Sequence, residues 1–234
     1  MARFLFRRFE TYVPLSRRIR VLWDIERTTL AVDCPHTNAQ ILPFMMEILS
    51  LPKSVNGCIV EAGCYKGGST AKFSMAANLA GRSLVVFDSF RGIPPNDEQH
   101  GHTIFGTNAE FPEGDWCGSL NEVKQTIRKF GSIECCEFVD GWFEDTMPSF
   151  RRTVAATYLD VDLADSTRTC LKYLYPQLVP GGAIYSQDGH LPLVLEVFDD
   201  PTLWHEVLHA EKPEIDGFGK SQLISLRKER GPVR

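Results

Sequence analysis

Acidic residues in this chain of 234 residues follow short apolar stretches, and that placement indicates a ligand site. Glu61 and Gly63 come at the end of the first stretch, Asp88 ends the second, and Asp160 and Asp188 follow two later ones. Such stretches, alternating with helical patterns, predict parallel βαβ units. Because parallel strands bring their carboxyl ends to one edge of a sheet, where open α/β sheets bind ligands, these residues are predicted to meet there.

The first of these turns, EAGCYKGGST, has the composition of a loop that holds a nucleoside. Glycines let the backbone approach a ligand closely, and the next helix offers free N–H groups at its N-terminus. Asp88, 25 residues after Gly63, is placed to accept hydrogen bonds from ribose hydroxyls. A plain tight turn and a helix N-cap are the alternatives for these two features. Trp142, after the third predicted strand, either lines an adenine pocket or belongs to the core.

Oxygen-bearing side chains follow two further strands and indicate a cation site. Asp160 lies in the sequence DVD, and Gln187 precedes Asp188. Carboxylate and amide oxygens are ligands for hard divalent cations such as Mg²⁺. Asp160, Gln187 and Asp188 are therefore the predicted metal ligands. In the alternative, Asp160 contacts an amino group of the ligand and Asp188 caps a loop.

Apolar periodicity predicts the strands and helices that carry these residues. Strands are predicted at 58–62, 83–87, 136–139, 154–159 and 183–186, and helices at 40–50, 69–79, 120–130 and 166–178. Ser69 or Thr70 is the predicted N-cap of the helix over 69–79. Residues 91–119 are irregular and suit a lid, and residues 191–227 add a helix and a hairpin. The predicted fold is α/β, a doubly wound, mostly parallel sheet (51–234), with an N-terminal helical extension or lid over residues 1–50.

The overall composition narrows the class of protein. A net charge of -5 argues against a general nucleic-acid binder, which carries a basic footprint. Seven cysteines without a C-x-x-C pair predict reduced thiols in a cytoplasmic protein rather than a disulfide framework. No apolar run reaches the roughly 18 residues of a transmembrane segment.

The first twenty residues alternate arginines with Phe and Leu/Ile side chains. This pattern fits either a membrane-surface helix or a helix that docks against the domain or a second subunit. Docking is favoured, because the pattern is short and Pro14 interrupts it. The segment is therefore predicted to act as the arm of a homodimer.

Five motifs in order, IVEAGCYKGGST, VVFDSFRGIP, GWFEDTMP, LDVDLADST and LYPQLVPGGAI, resemble the macrocin O-methyltransferase family (TylF/MycF type) across about 58–190. The resemblance implies a class I methyltransferase that uses S-adenosylmethionine (SAM) and Mg²⁺ to methylate a hydroxyl of a sugar or related small molecule. It places Asp88 on the ribose, Trp142 near the adenine and the family's first metal aspartate on Asp160. The full set of predicted cofactor residues is Glu61, Gly63, Ser69, Asp88, Ser89, Gly141, Trp142 and Asp160.

This chain departs from the family pattern at Gln187, which stands where the family has a carboxylate. The exchange removes a negative charge and lowers the expected affinity for Mg²⁺. A hydroxyl acceptor is a weak nucleophile and needs a base, and the candidates are His100, His102, His190 and Asp115. The alternative for each histidine is an exposed loop residue.

Two other functions compete with the methyltransferase. An NAD-dependent sugar-nucleotide enzyme shares the glycine turn and the acid, but the chain lacks G-x-G-x-x-G and a Tyr-x-x-x-Lys pair. The other alternative is a non-catalytic SAM-fold module in a larger assembly. It is considered because Gln187 replaces a carboxylate of the family's metal site.

Overall fold

A computed structural model describes residues 1–229 of the chain. Its helices are α1 (Ala2–Phe6), α2 (Leu15–Ala31), α3 (Asn38–Ser50), α4 (Gly68–Leu79), α5 (Leu120–Phe130), α6 (Phe143–Thr146), α7 (Ala164–Leu174) and α8 (Pro192–Asp199). Its strands are β1 (Cys58–Ala62), β2 (Leu84–Asp88), β3 (Gly101–His102), β4 (Asn108–Ala109), β5 (Cys136–Asp140), β6 (Val154–Leu159), β7 (Leu178–Ser186), β8 (Ile215–Asp216) and β9 (Ile224–Arg227).

Seven strands form one twisted sheet in the order β5-β2-β1-β6-β7-β9-β8. The first five in this order run parallel, whereas β9 pairs antiparallel with β7 and β8 pairs antiparallel with β9. The chain winds outward from β1 through β2 to β5 and then crosses back to β6. The reversal between β1 and β6 is the topological switch point at which such sheets bind ligands. The predicted doubly wound, mostly parallel fold is confirmed.

Helices cover both faces of the sheet, and the N-terminal helices share the core of one face. Val21 and Ile25 of α2 and Phe44 of α3 belong to the same buried cluster as Phe73 of α4 and Tyr158 of β6. The second face packs against α7, α8 and the buried Trp204. The division of the chain at residue 50 stays a prediction. Within residues 1–229, no helix has both the length and the apolar character needed to cross a bilayer.

Several element boundaries differ from the predicted ones, and those of α7, β7 and α4 have a clear physical reason. Helix α7 begins at Ala164, because a carboxylate from a distant loop accepts its first N–H groups, and it ends at Leu174, because Pro176 has no N–H to continue it. Strand β7 begins at Leu178 rather than 183, since pairing with Val154 extends it past an irregular register. The cap of α4 is Gly67, with φ +80°, not Ser69 or Thr70.

Candidate functional site

A cleft at the carboxyl edge of the sheet holds about 1010 Å³ of empty space, including its open mouth. Six of the eight predicted cofactor residues line it: Gly63, Asp88, Ser89, Gly141, Trp142 and Asp160. Gln187, Asp188 and His190 line it as well. The sheet therefore brings most of the predicted residues to one place, as the parallel strand order requires. Their individual roles stay predictions.

The glycine turn lies directly against the loop after β6. Gly63 has φ +81°, and a Cβ atom there would stand 1.9 Å from the carbonyl oxygen of Asp160. Asp160 N in turn donates to the carbonyl of Ala62 at 3.0 Å. Only a residue without a side chain permits this close approach, so Gly63 keeps two ligand-lining loops together.

Replacing Gly63 with alanine should therefore force these two loops apart. The free energy of unfolding is expected to fall by about 3 kcal/mol or more, because a backbone clash adds to the left-handed strain. Gly81→Ala is the matched control, since Gly81 has φ +66° and no atom within 4 Å of the new Cβ. The control should lose only about 1–2 kcal/mol. Equal losses in urea unfolding would show that the contact with Asp160 is unimportant.

Glu61 and Ser69 lie beneath the turn and do not line the cleft. The Ser69 hydroxyl donates to Glu61 Oε1 at 2.6 Å, and both side chains are buried. Burial raises the pKa of Glu61 to about 8, although the bond from Ser69 opposes the shift. The two residues bond to each other across β1 and α4, and their predicted role in cofactor binding stays a prediction.

Asp88 is held rigidly at the end of β2. Its Oδ2 accepts the N–H of Cys64 and its Oδ1 accepts the N–H of Phe90, both at 2.7 Å. Its backbone carbonyl accepts the N–H of Gly141 from the neighbouring strand end at 3.1 Å. Each carboxylate oxygen keeps further lone pairs for other donors. The group is thus preorganised to accept a pair of hydroxyls, with Trp142 on the same cleft.

Three carboxylates cluster on the other side of the cleft. Oxygens of Asp160, Asp162 and Asp188 lie within 4.8 Å of one another. Burial and the charge of Asp160 raise the pKa of Asp188 to about 7, although the N–H groups of Val161 and Asp162 lower it. Burial and the charges of Asp188 and Asp160 hold the pKa of Asp162 well above its usual range. Oxygen donors that repel one another in this way fit a divalent cation.

Gln187 lies beside this cluster, but its oxygen is already engaged. Oε1 accepts the Tyr158 hydroxyl at 2.9 Å, and Nε2 is buried without a partner among the described residues. Asp162, whose carboxylate joins the cluster, is therefore a second candidate beside Gln187 for the third oxygen ligand. Asp162 was not predicted from the sequence, and only the fold shows that its carboxylate lies close to those of Asp160 and Asp188.

A residue from the N-terminal extension completes this wall of the cleft. His36, between α2 and α3, places its Nε2 2.9 Å from Asp160 Oδ2. Burial by itself lowers the pKa of His36, but the charge and hydrogen bond of Asp160, with Cys34 adding to them, raise it to about 11. No periodic or motif signal marks His36 in the sequence, because it is separated from Asp160 by more than 120 residues.

The three candidate histidines occupy different surroundings. His190 lines the cleft, is half-buried, and has a buried Nδ1 that bonds to no other described residue. Burial lowers its pKa, so the ring is neutral near pH 7. His100 is buried away from the cleft lining, and His102 is exposed on β3. By position, His190 is the best placed of the three for proton transfer.

His100 instead supports a latch that holds the loop of residues 91–119. Glu98 accepts the N–H of Ala164 and of Asp165 at the N-terminus of α7, at 2.8 and 2.9 Å. His100 Nε2 lies 2.9 Å from the same carboxylate. Burial alone raises the pKa of Glu98, but His100 and the two N–H groups lower it overall. The loop thereby joins the helix that follows the aspartate cluster.

Glu98→Gln should weaken this latch. At pH 7 the free energy of unfolding is expected to fall by about 1–3 kcal/mol, the contribution of hydrogen bonds to a charged group. Because the pKa of Glu98 is lowered in the folded state, its stabilisation is present above the ordinary glutamate value and is lost as the pH falls below it. Wild type and variant should therefore converge in acid. Glu113→Gln, an exposed acid of the same loop, is the control.

Two aromatic residues at the cleft were not predicted from the sequence. Tyr65 and Trp116 line it and pack edge to face with ring centroids 5.3 Å apart. Both have positive φ, at 48° and 56°, as does Asp162 at 61°. Strained backbone of this kind gathers at functional sites. Tyr65 lies in the glycine turn, so the sequence offered a signal for it. Trp116 lies in the irregular stretch 91–119, where no motif indicates that it meets that turn.

A model of the macrocin-O-methyltransferase (TylF) family matches residues 44–218, which is most of the chain. The chain belongs to this family. The match includes the strands and loops that form the cleft, and it confirms the predicted resemblance.

Curated relatives of this TylF-family chain include two O-methyltransferases. Mycinamicin III 3''-O-methyltransferase of Micromonospora griseorubida is 30% identical over 155 residues, 63% of this chain and 61% of that protein. Demethyldecarbamoylnovobiocin O-methyltransferase of Streptomyces niveus is 32% identical over 141 residues, 58% of this chain and 53% of that protein. The chain thus spans less than two thirds of the length of these relatives.

Solved structures share the fold of this TylF-family chain. The O-methyltransferase NovP superposes with a TM-score of 0.60 at 22% identity, covering 93% of this chain and 82% of NovP. A calicheamicin methyltransferase superposes with a TM-score of 0.57 at 18% identity, covering 88% of this chain and 91% of that one. The fold is that of class I methyltransferases.

Proposed function

We propose that this chain is a SAM-dependent O-methyltransferase that methylates a hydroxyl of a sugar or glycoside. The observation that carries the proposal is that Gly63, Asp88 and Asp160, on three separate strand ends, line one cleft in a chain of the TylF family. The relatives named above are O-methyltransferases by their names, which supports a hydroxyl as acceptor. A further relative, from Streptomyces olivaceus, is named as the 4'-O-methyltransferase of a rhamnosyl tetracenomycin, which supports a sugar hydroxyl. SAM, when bound, supplies an electrophilic methyl group on a sulfonium.

The cleft residues fit this cofactor. Asp88 accepts the ribose hydroxyls with the lone pairs that its two backbone bonds leave free. Gly63 lets the backbone approach, and the indole of Trp142 offers a face for the adenine. Because methyl transfer is an in-line displacement, the main task of these residues is to position the reactants.

The aspartate cluster fits a divalent cation, for which we propose Mg²⁺. The cation would be held through oxygen atoms of Asp160 and Asp188. The third ligand would be Asp162 or, as the sequence predicts, Gln187. A cation at this place would lower the pKa of the acceptor hydroxyl. His36 orients Asp160 through its Nε2–H, so that the N-terminal extension helps to shape the site.

We propose His190 as the base that takes the hydroxyl proton. It is neutral near pH 7 because burial lowers its pKa, and it lines the cleft beside Asp188. His190→Gln is expected to lower kcat about 10²–10⁴-fold, the usual contribution of a positioned base, with SAM affinity unchanged. His102→Gln, at an exposed position, is the matched control. Equal rates for wild type and His190→Gln would assign proton transfer elsewhere.

Ligand binding separates this function from its two competitors. Isothermal titration is expected to show binding of SAM and S-adenosylhomocysteine and no binding of NAD. NAD binding without SAM binding would make the chain an NAD-dependent sugar-nucleotide enzyme. SAM binding without turnover on any glycoside would favour a non-catalytic module in an assembly.

We also propose a homodimer in the cytoplasm as the working form. The seven cysteines are all free thiols, which suits a reducing compartment. Size-exclusion chromatography with light scattering tests the dimer directly, and a monomer at micromolar concentration would contradict it.

A further inference from the structure

The N-terminal helices expose an unusual share of the chain's apolar surface. Among the described residues, ten large hydrophobic side chains are exposed, and seven of them lie within the first thirty: Met1, Phe6, Tyr12, Leu15, Ile19, Trp23 and Leu30. Exposed hydrophobic residues scattered singly are ordinary, whereas a group of them marks an interaction surface. Docking of this segment against the domain, which is one of the interpretations of the sequence, therefore buries only part of its apolar side chains.

Four of these residues form one stripe along α2. Leu15, Ile19, Trp23 and Leu30 are spaced by four, four and seven residues, which places them on one face of a helix. Trp23 is 66% exposed and Leu30 is 87% exposed. Val21 and Ile25 lie on another face and are buried in the core. We call the exposed face the α2 stripe, and it is distinct from the face that holds the helix to the protein.

Charge is segregated toward the same part of the chain. Residues 1–31 contain seven arginines and three acidic residues, so their net charge is +4. Because the whole chain has a net charge of -5, the remaining residues carry -9. Arg20 and Arg27, seven residues apart, form an exposed row beside the stripe. Arg27 contacts Asp24 at 3.6 Å, but an exposed pair of this kind is weak and leaves the arginine available. The helix thus exposes apolar, aromatic and cationic groups, and its two acids, Asp24 and Glu26, are half-buried.

This charge arrangement distinguishes between two kinds of partner. A symmetric antiparallel pairing of two α2 stripes brings the same flank of each helix together. Arg20 and Arg27 of one copy would then face Arg20 and Arg27 of the other, which adds a weak repulsion and no attraction between the arginines. Anionic headgroups instead neutralise the arginines, while apolar and aromatic side chains enter the interfacial region. From this complementarity we infer that the α2 stripe and its arginines bind the surface of an anionic membrane.

Membrane binding at α2 is independent of the proposed methyl transfer. It requires only that the helix lie flat in the interface with Trp23 and Leu30 inserted and the arginines at headgroup level. The proposed homodimer is then expected to use another surface, in contrast to the dimer arm predicted from the sequence. The helix leads directly into the segment 32–37, whose Pro35 and His36 line the cleft.

The test is co-sedimentation of the full chain with vesicles. Binding is expected with mixed phosphatidylcholine and phosphatidylglycerol and is expected to be weak with phosphatidylcholine alone. The double variant Arg20→Gln/Arg27→Gln should lower the partition coefficient roughly 30-fold, and added salt should weaken wild-type binding. Trp23→Ser should lower the partition coefficient about tenfold or more through lost apolar contact. Circular dichroism and SAM titration check that each variant is folded.

Matched controls are available elsewhere on the surface. Phe105→Ser removes an exposed hydrophobic side chain, and Arg151→Gln removes an exposed arginine, and neither should change vesicle binding. Equal sedimentation with both lipid mixtures, or wild-type binding by both α2 variants, would overturn the inference. A wild-type dimer that Trp23→Ser dissociates, without vesicle binding, would assign the α2 stripe to a second copy of the chain.

Discussion

Replacing Asp88 with alanine is expected to lower the affinity for SAM and for S-adenosylhomocysteine at least about 100-fold. The variant removes the acceptor of two ribose hydroxyls, and each hydrogen bond to a charged group contributes about 1.5–3 kcal/mol. It also leaves the N–H groups of Cys64 and Phe90 without their acceptor, which loosens the glycine turn. Isothermal titration with both ligands measures the loss.

The effect at Asp88 has a matched control on the neighbouring strand. Asp140 ends β5, is paired in register with Asp88, and is exposed outside the cleft lining. Asp140→Ala should leave SAM affinity within about twofold of wild type, as expected for an exposed residue away from the site. Asp88→Asn separates charge from shape, because it keeps an acceptor oxygen. If Asp88→Ala bound SAM as tightly as Asp140→Ala, the proposed cofactor site would be wrong.

Removing the divalent cation is expected to lower the rate of methyl transfer by roughly two orders of magnitude or more, and added Mg²⁺ should restore it. The reason is that the aspartate cluster holds oxygens that repel one another unless a cation lies between them. Treatment with EDTA followed by titration with Mg²⁺ tests this in the wild type. Asp188→Asn should give the same low rate with or without Mg²⁺.

Variants at the cluster also decide which residue is the third ligand. Asp162→Asn should weaken Mg²⁺ binding, and asparagine tolerates the positive φ of this position. Gln187→Ala should change Mg²⁺ affinity much less, because its oxygen already accepts the Tyr158 hydroxyl. Asp165→Asn, exposed at the start of α7, is the charge control. A rate unaffected by EDTA and by Asp188→Asn would remove the metal from the proposed mechanism.

The placement of the cleft could be predicted from the sequence because it depends on local features and on one rule of topology. Gly63 and Asp88 end short apolar strands, and parallel strands bring their carboxyl ends to one edge. The same argument brings Asp160 to that edge, although it follows β6 many residues later. Residues beneath the turn, such as Glu61 and Ser69, cannot be told apart from lining residues, because both kinds occupy the same stretch of sequence.

The parallel sheet, the edge that carries the cleft and the family could all be predicted from the residues, because strand periodicity, glycine turns and ordered motifs are local properties of the chain. Which side chains remain free to act depends instead on the folded structure. The fold bonded Gln187 to Tyr158, placed His36 on Asp160, and set His190 in the cleft but His100 in a latch. These choices depend on hydrogen-bond partners from distant segments, which no local pattern specifies.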